Sequence, residues 1–361
     1  MTRATQWPTL NLGDVVSLQR GFDLPAQQRR PGPFPVLTSG EGGGFHAEGP
    51  IPGPGVTIGR ATNLGQPKWS ESDFWPHNTT LFVKDFHGNH PRWVFHLFES
   101  LDLSGYDSGS VQPMLNRNYV ARVQVRVPPL DEQRAIAEVL GALDDKIAAN
   151  AREVGLADDL AATLFEAALA VDSEEHYLGD VATFHNRRRV PLSAVERGAR
   201  PGVVPYFGAA GRLDYVDEAL FDHHLLLVGE DGSVVQGDGR PVTQYIWGPS
   251  WVNNHAHVLT GNGITTELLR LAVRRSSVVS LVTGAVQPKI SMGNLKTLQL
   301  ELPMGGQRDL LAEQVDALAA VLRAKTEESR SLAATRDALL PLLMSGTVTV
   351  KDAESVVEGV V

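Results

Sequence analysis

The stretch DEQRAIAEVLGALDDKIAANAREVGLADDLAATLFEAALA, from Asp131 to Ala170, has the residue spacing of one long helix. Positions at alternating steps of four and three are Ile136, Leu140, Leu143, Ile147, Asn150, Val154, Ala157, Ala161, Leu164 and Ala168. Nine of these ten residues are apolar, and this spacing is typical of a coiled-coil seam. We therefore expect a helix of about 40 residues, roughly 60 Å long at 1.5 Å per residue.

A second stretch, residues 307–345, repeats this pattern. Its seam positions are Leu311, Val315, Leu318, Leu322, Lys325, Ser329, Leu332, Arg336, Leu339 and Leu343. Because an apolar seam is unfavourable in water, the two helices are predicted to pair. An antiparallel pair is favoured, since the chain leaves the end of the first helix, forms a globular block and returns to the start of the second. The predicted architecture is a rod with one globular block at each end and a pseudo-twofold axis.

The polar seam residues Asn150 and Lys325 are predicted to meet. Each lies near the middle of its helix, so an antiparallel pair brings them to the same level. A buried polar residue in a seam can fix the register of the pair. The alternative is that Lys325 extends its ammonium group to solvent.

The chain contains an internal duplication. Residues 109–113 read GSVQP and residues 284–288 read GAVQP, and the segment LGDV at residues 12–15 recurs at residues 178–181. Trp75 and its neighbours recur in looser form from Trp251. The matches occur in the same order in both halves, and the GSVQP and GAVQP segments are 175 residues apart. A repeat of this length indicates two copies of a domain. The predicted boundaries are 1–128 and 173–303 for the globular domains, 129–172 and 304–346 for the helical segments, and 347–361 for a tail that is frayed or packs against the first domain.

Composition excludes several classes of protein. The chain has 361 residues, no cysteine and a formal net charge of −10, so disulfides and thiolate zinc sites are excluded. Residues 129–172 contain ten acidic and three basic residues, so most of the excess negative charge lies in this helical segment. The globular domains are close to neutral, and each can still present a basic face. The sequence has no signal-peptide pattern and no long uncharged apolar run, which predicts a cytoplasmic protein without membrane spans.

The globular domains are rich in glycine, proline and short β-type runs. This predicts an α+β fold with mixed, β-rich domains and long loops. Polar loop residues are candidates for DNA contact, because Arg matches guanine and Asn or Gln matches adenine. The candidates are Arg60, Asn63, Lys68, His87, Asn89, Arg92, Arg187, Arg188, Arg189, Arg212, Tyr215, Gln236, Arg240 and Gln244. The alternative for each is a solvated or phosphate-binding side chain, and phosphate positioning is favoured for the cluster of three arginines.

The sequence contains no pattern that indicates catalysis or a bound cofactor. His255 and His257 have the spacing of ligands on one face of a strand, but no His-Glu-x-x-His motif supports a metal site. The glycine runs at residues 42–44 and 237–239 lack the Gly-Lys-Ser/Thr of a phosphate-binding loop. Neither the Asn-Pro-Pro-Tyr/Phe motif of adenine methyltransferases nor a Gly-x-Ser-x-Gly nucleophile elbow occurs.

Residues 128–137, PPLDEQRAIA, resemble the opening of the first conserved helical region in specificity subunits of type I restriction–modification systems. The LGDV and GSVQP segments resemble the opening and the closing of a target-recognition domain in that family. The resemblance covers nearly the whole chain up to Gly346, although residues 303–308, PMGGQR, keep only part of the helical motif.

The resemblance implies a non-catalytic, double-stranded DNA-binding subunit. Each target-recognition domain would read one half of a bipartite target, and the paired helices would set the gap between the halves. Two adenine-methyltransferase subunits, which bind S-adenosylmethionine, and a motor-nuclease subunit are the implied partners. No cofactor is expected in this chain.

Other interpretations stay open at this point. The two domains differ in their loop sequences, which predicts an asymmetric target with unlike halves. The chain could instead be an enzyme with a metal or acid–base site, or a coiled-coil scaffold that binds only proteins. A complex that methylates DNA without a nuclease subunit is a variant of the first interpretation.

Overall fold

The computed structural model of the chain describes residues 7–108, 113–284 and 286–359. It divides into unit 1, which is Met1–Ala149 with Glu328–Val361, and unit 2, which is Asn150–Glu327. Each unit contains one globular domain and about half of each long helix. Residues 109–112, which carry most of the first GSVQP segment, lie outside the described residues.

The globular domain of unit 1 is followed directly by the first long helix. Its elements are β1 Thr9–Asn11, α1 Leu12–Val15, β2 Ser17–Arg20, β3 Phe34–Leu37, β4 Phe45–His46, β5 Gly55–Gly59, β6 Pro67–Ser70, β7 Trp75–Pro76, β8 Thr80–Asp85, α2 Pro91–Ser100, β9 Asp107–Ser108, β10 Met114–Leu115, α3 Arg117–Val120, β11 Gln124–Arg126 and the long helix α4 Leu130–Val171.

The second domain precedes the second long helix and a short terminal helix. Its elements are β12 Ser173–Tyr177, α5 Leu178–Val181, β13 Ala182–Phe184, α6 Ala194–Gly198, β14 Val204–Phe207, β15 Arg212–Val216, β16 Phe221–Asp222, β17 Leu225–Gly229, β18 Thr243–Ile246, β19 Pro249–Val252, β20 Ala256–Gly261, α7 Thr266–Arg275, α8 Met292–Lys296 and β21 Gln299–Pro303. The long helix α9 Gly305–Met344 and the helix α10 Val350–Glu358 follow, and short 3-10 helices occur at Ala26–Gln28, Asn186–Arg188 and Val279–Leu281.

The two domains share one strand order, with one additional strand, β16, in unit 2, which confirms the duplication and the α+β class. The main sheet has the order β2-β8-β5-β6 in unit 1 and β13-β20-β17-β18 in unit 2. A second sheet has the order β4-β3-β7 in unit 1 and β15-β14-β19-β16 in unit 2. Its parallel pairing places Val36 opposite Trp75 in one domain and Tyr206 opposite Trp251 in the other.

The repeated LGDV segment forms a buried helical turn in each domain. Leu12 and Leu178 are fully buried. A Cβ atom added at Gly13 would lie 3.1 Å from the Cβ of Ala121, and one added at Gly179 would lie 3.1 Å from the Cβ of Lys296. Such contacts are tighter than ordinary van der Waals packing. The glycine therefore recurs because the turn closely approaches Ala121, just after α3, or Lys296, the last residue of α8.

Within each unit, α4 and α9 lie side by side in antiparallel order. In unit 1 one buried cluster contains Ile136, Leu140 and Leu143 of α4 together with Leu332, Leu339 and Leu343 of α9. In unit 2 the later residues Ala161 and Ala168 of α4 share a cluster with the earlier residues Leu311 and Val315 of α9. All the predicted seam positions of both helices are buried or half-buried, so the predicted pairing is confirmed.

The two polar seam residues lie at the same level of the helix pair. Asn150 is fully buried, and Lys325 Nζ lies 3.4 Å from Glu153 Oε2, less than one turn along α4. The amide of Asn150 has no hydrogen-bond partner within the described ranges. The predicted proximity is therefore confirmed, whereas a hydrogen bond between Asn150 and Lys325 is not formed.

The buried face of α4 shifts by one residue in unit 2. Phe165 is fully buried and the predicted seam residue Leu164 is only half-buried. A strict heptad assumes that a helix faces one partner helix. In this half, α4 also packs on the globular domain, where Phe165 shares a cluster with Leu268 and Leu271, so the buried stripe is wider than a two-helix seam.

The tail after α9 packs against unit 1. Helix α9 ends at Met344, and Gly346 follows with φ of +68°, a backbone conformation that favours glycine. Ala353 of α10 is fully buried in the core of unit 1, which confirms the second of the two predictions for the tail. None of the helices in the described ranges combines the length and apolarity that a bilayer span requires.

Candidate nucleic-acid interface

A glycine-rich loop follows β3 in unit 1 and is held against the edge strand β6. Lys68 Nζ on β6 donates to the carbonyl oxygen of Gly40. Asn63 Nδ2 donates to the carbonyl oxygen of Ser39 at 2.9 Å. Asn63 has φ of +47°, a conformation in which asparagine is enriched. Two predicted DNA contacts, Asn63 and Lys68, thus define the position of this loop.

Two arginines flank the same loop. Arg29 Nη1 donates to the carbonyl oxygen of Gly43 at 2.9 Å, and the sequence analysis missed this residue because it lies in an unremarkable polar run. Arg60 and Asn63 lie in the neighbouring loop between β5 and β6. The guanidinium of Arg60 forms no hydrogen bond or ion pair with the described residues. Within the described part of the chain, the donors of Arg60 are therefore not used by the fold.

The equivalent loop of unit 2 is held in the same way by a different residue. Gln244 Nε2 on β18 donates to the carbonyl oxygens of Gly208 at 2.9 Å and Ala209 at 3.1 Å. Gln244 lies opposite Leu227 in the sheet, as Lys68 lies opposite Thr57. Two candidates chosen independently from the sequence therefore occupy equivalent positions.

Arg212 and Tyr215 lie on β15, directly after this loop. Both side chains are exposed, and the guanidinium carbon of Arg212 lies 4.7 Å from the ring centroid of Tyr215. Neither side chain forms an ion pair or hydrogen bond in the part of the chain that the structure describes. This pair offers an aromatic ring and a positive charge on the same surface.

His87 and Asn89 form hydrogen bonds within unit 1. His87 Nε2 lies 2.8 Å from Ser17 Oγ. Asn89 Oδ1 accepts a hydrogen bond from Gln133 Nε2 at 2.8 Å. Gln133 is buried and also donates to the carbonyl oxygen of Pro128 at 3.0 Å. The glutamine of the PPLDEQ segment therefore joins the first domain to the start of α4, and Asn89 is its partner.

Arg92 is also engaged within unit 1. Its guanidinium lies 2.9 Å from Asp145 Oδ1 on α4 and 2.9 Å from Glu71 Oε1. It stacks over Trp69, with 5.0 Å from the guanidinium carbon to the ring centroid. Its side chain is largely buried. Arg92 therefore positions the domain on the helix, and a base contact would require these ion pairs to open.

The three adjacent arginines of unit 2 have different surroundings. Arg187 is exposed and without a partner among the described residues. Arg188 is exposed and lies over the ring of Phe221. Arg189 is largely buried and forms an ion pair with Glu230 at 2.6 Å. Arg187 and Arg188 suit phosphate contact, whereas Arg189 holds the 3-10 helix on the main sheet.

Gln236 and Arg240 lie in one tight turn of unit 2. Gln236 Nε2 donates to the carbonyl oxygen of Pro241 at 2.9 Å, and Arg240 Nε donates to Asp238 Oδ2 at 2.6 Å. Both side chains are exposed. Because Asp238 neutralises the guanidinium, Arg240 is a weaker phosphate ligand than Arg187.

Sequence reasoning also missed a buried ion-pair network in unit 1. His96, Glu99 and Asp144 bring possible metal-ligand atoms within 4.8 Å of one another. Arg336 Nη1 of α9 lies 2.9 Å from Asp144 Oδ1, and Arg92 Nη2 lies 3.7 Å from Asp144 Oδ2. These guanidiniums supply the positive charge that a metal ion would, so the cluster is built as an ion-pair network.

The corresponding network of unit 2 centres on Asp158 of α4. Burial by itself would raise the pKa of Asp158, but hydrogen bonds and charges from Arg270 and Arg274 of α7 hold that pKa below its usual value. Glu267, at the start of α7, forms an ion pair with Arg323 of α9 at 3.2 Å. Arg336 was visible in the sequence as a charged seam position, but its partners were not.

The two candidate metal ligands, His257 on β20 and His255 just before that strand, both form hydrogen bonds within unit 2. His255 Nδ1 pairs with Asp231. His257 is buried, with Nδ1 2.8 Å from Asn186 Nδ2 and Nε2 2.9 Å from the carbonyl oxygen of Ile290. Burial lowers the pKa of His257, so its imidazole is neutral near pH 7. These contacts anchor the 3-10 helix that carries Arg187.

Both halves of the chain match one protein family. Residues 5–154 and residues 170–322 each match the type I restriction modification DNA specificity domain. The chain belongs to this specificity-domain family. Each specificity domain matched here extends past the globular part into the first half of the long helix that follows it.

Two known proteins illustrate the relationship. A putative type I restriction enzyme specificity subunit from Haemophilus influenzae is 26% identical over 145 residues, which is 40% of this chain and 37% of that protein. The S subunit of a type I restriction–modification system from M. genitalium is 17% identical, with coverage of 95% of this chain and 97% of that chain and a TM-score of 0.65. The second likeness shows a shared fold over both specificity domains.

Proposed function

We propose that this chain is the DNA-sequence-specificity subunit of a type I restriction–modification complex in the cytoplasm, without catalytic activity of its own. The observation that carries the proposal is the duplicated loop arrangement. In each specificity domain an equivalent edge-strand residue, Lys68 or Gln244, holds a glycine-containing loop. An arginine that forms no ion pair with the described residues, Arg60 or Arg212, lies in or next to this part of each domain. Family membership gives this arrangement its ligand, which is double-stranded DNA.

Each domain reads one half of a bipartite target. Base edges are distinguishable in the major groove, and each mismatched pair costs about 1–3 kcal/mol, so two short half-sites add to one specific site. The equivalent positions hold Lys68 in one domain and Gln244 in the other, which differ in charge and in hydrogen-bonding capacity. Unlike loops at equivalent positions favour unlike half-sites.

The paired helices set the gap and bind the other subunits. Large apolar side chains are exposed on both helices in unit 2, among them Leu156 of α4, which is 69% exposed, with Leu160 of α4 and Val321 of α9. Such side chains suit docking of helices from two adenine-methyltransferase subunits. S-adenosylmethionine is bound by those subunits, and a motor-nuclease subunit completes the complex.

Reconstitution of methylation tests this proposal. The chain and the methyltransferase subunit are purified separately and combined, and methylated adenines are mapped on genomic DNA. We expect methylation only from the combination, at a bipartite target with two different halves. Arg60→Gln is expected to reduce methylation at least tenfold, whereas Arg122→Gln, a change of an exposed arginine in the same domain, leaves it unchanged. Methylation by either protein alone, or without sequence preference, contradicts the proposal.

A second experiment tests the docking surface. Leu156→Asp together with Leu160→Asp places two charges on the apolar part of α4 and is expected to abolish binding of the methyltransferase subunit, measured by analytical ultracentrifugation. Val203→Asp introduces a charge at an even more exposed apolar residue of the second domain and serves as the control. Unchanged binding in the double variant would remove this surface from the proposal.

A further inference from the structure

Phe45 and Tyr215 are exposed aromatic residues at the same position of the two domains. Phe45 lies opposite Pro35 in the pairing of β4 with β3. Tyr215 lies opposite Pro205 in the pairing of β15 with β14. Phe45 is 63% exposed and Tyr215 is 43% exposed. Because the next residue in each strand is fully or almost fully buried, both rings stand on the outer face of the second sheet.

Each ring lies on the strand that follows the loop around which the candidate interface is built: Phe45 is the first residue of β4 and Tyr215 is the fourth residue of β15. In unit 1 that loop is held by Lys68, and Arg29 binds the carbonyl oxygen of Gly43, two residues before Phe45. In unit 2 the loop is held by Gln244, and Arg212 stacks on Tyr215. An aromatic ring and an arginine therefore occur together in both domains, although the arginines come from different segments.

Single exposed apolar residues are normal on a protein surface. A large exposed ring that recurs at one register in two domains with unlike loop sequences requires a function common to both. Double-stranded DNA supplies the matching chemistry, because base edges in the major groove include the apolar thymine methyl group, and phosphates lie nearby for a guanidinium. Direct ring stacking of Arg212 leaves its outer N–H groups free for such a phosphate.

We propose that Phe45 and Tyr215 are the equivalent apolar base contacts of the two specificity domains. Each ring packs against base edges of its own half-site, and Arg29 or Arg212 binds an adjacent phosphate. This inference rests on the proposed function, since it names the part of the DNA that the two rings recognise.

The test uses the reconstituted complex of this chain with the methyltransferase subunit. Fluorescence anisotropy measures Kd for a duplex that carries the mapped target and for a duplex with both halves scrambled. Phe45→Ala and Tyr215→Ala are each expected to weaken binding to the target about tenfold, which is within the range for one base contact. Binding to the scrambled duplex changes less than twofold, and the dependence of Kd on salt is unchanged because no charge is removed.

Matched variants separate base contact from general effects. Tyr119→Ala and Tyr177→Ala remove tyrosines of similar exposure elsewhere in the two domains and are expected to leave both Kd values unchanged. Phe45→Tyr and Tyr215→Phe retain the ring, and their Kd for the target is expected to stay within twofold of the value for the natural chain. Arg212→Gln is expected to weaken binding to both duplexes and to lower the salt slope by about one.

The outcomes distinguish this inference from the proposed function. A wild-type complex that prefers its target, combined with alanine variants that behave like Tyr119→Ala, overturns the inference alone. Equal weakening on the target and the scrambled duplex also overturns it, because that result indicates a contact with the backbone. A wild-type complex without preference for its target contradicts the proposed function and this inference together. Unchanged thermal unfolding of the variants shows that they are folded.

Discussion

The helices α2 and α7 occupy the same place in the two units and carry their charges in opposite order. Arg92, near the start of α2, forms an ion pair with Asp145 of α4 at 2.9 Å. Glu267, the residue at the same position of α7, forms an ion pair with Arg323 of α9 at 3.2 Å. In both cases the partner lies on the long helix that follows the domain in sequence.

The end of each helix shows the same reversal. Glu99 of α2 lies 3.9 Å from Arg336 of α9, whereas Arg274 at the same position of α7 lies 2.7 Å from Asp158 of α4. The duplication has therefore kept the places where a domain is fixed to the helix pair and reversed the sign of each charge. If one domain were exchanged for the other, like charges would meet at the contacts with the long helices, and the docking of the domain would be weakened.

The largest predicted effect comes from reversing one charge of this arrangement. Glu267→Arg places a guanidinium next to Arg323 in a buried site, and the free energy of unfolding of unit 2 is expected to fall by about 4 kcal/mol. Native-state hydrogen exchange of α7 measures it. Glu267→Arg combined with Arg323→Glu is expected to recover about half of the loss. Glu175→Arg, at an exposed glutamate, is the control, and an equal loss there would refute the electrostatic explanation.

Asp158→Asn is expected to destabilise unit 2 by about 3 kcal/mol, because a buried charge loses its partner. The side chain of Arg270 is only 5% exposed and cannot recover its interaction from water. The neighbouring change Asp159→Asn, at an exposed position, is the matched control. Hydrogen exchange of α7 again gives the free energy. Equal values for the two variants would show that the ion pairs with Asp158 contribute little.

The stability of unit 2 is also predicted to depend on pH through Asp158. The pKa of this carboxyl is lowered in the folded state, so the stabilisation is complete above the unfolded value of about 3.9 and is lost as the pH falls through the folded value. Thermal unfolding between pH 6 and pH 3 should show a steeper decline for the natural chain than for Asp158→Asn. Parallel declines would contradict this assignment.

Arg92→Glu is expected to have a smaller effect, about 2 kcal/mol on unit 1, because two of its three partners, Glu71 and Asp145, are mostly exposed and exposed ion pairs contribute little. The third partner, Asp144, is largely buried but lies 3.7 Å away and keeps its ion pair with Arg336. Hydrogen exchange of α2 measures the change. Adding Asp145→Arg should restore part of the stability. Arg134→Glu changes an exposed arginine near the start of α4 and should cost less than 0.5 kcal/mol. A loss as large as that of Glu267→Arg would remove the distinction between the units.

The smallest effect is expected at Asn150, which takes part in neither charge arrangement. Its buried amide has no partner within the described residues, so Asn150→Leu should stabilise the chain by about 1 kcal/mol. The protection of α2 and α7 against hydrogen exchange, measured relative to global unfolding, should be the same in the variant as in the natural chain. Destabilisation would show that the amide has a partner role, and the conservative change Asn150→Asp is expected to destabilise through the buried charge.

The long helices could be predicted from the sequence because a seam is a local, periodic signal. The bounds 131–170 and 307–345 lie within two residues of Leu130–Val171 and Gly305–Met344. The duplication was also visible, since both copies keep the LGDV segment, whose glycine allows the turn to approach another part of its domain closely. Leu164 packs at the edge of the buried cluster while Phe165 lies inside it, because the heptad describes two helices and ignores the domain that packs on Phe165.

The candidate interface was predicted in composition and only partly in detail. Arg92 and Arg189 have the same chemistry as Arg60, but their ion-pair partners lie 53 and 41 residues away in sequence, and only the fold brings them together. The equivalence of Phe45 and Tyr215 was hidden because loops of different length precede them, so their spacing differs from the 175 residues that relate other parts of the repeat. Local sequence patterns predict the helices and strands. Residues that lie opposite each other in a sheet can be identified only once the strand order is known.

The central claim is that two unlike domains read two half-sites at a fixed separation. The most direct measurement is the rate of methylation by the reconstituted complex on duplexes in which the gap between the mapped half-sites is lengthened by one to five base pairs. We expect the rate to fall steeply with the first few added pairs, while the two half-site sequences remain necessary. Equal methylation at every gap length would contradict the account.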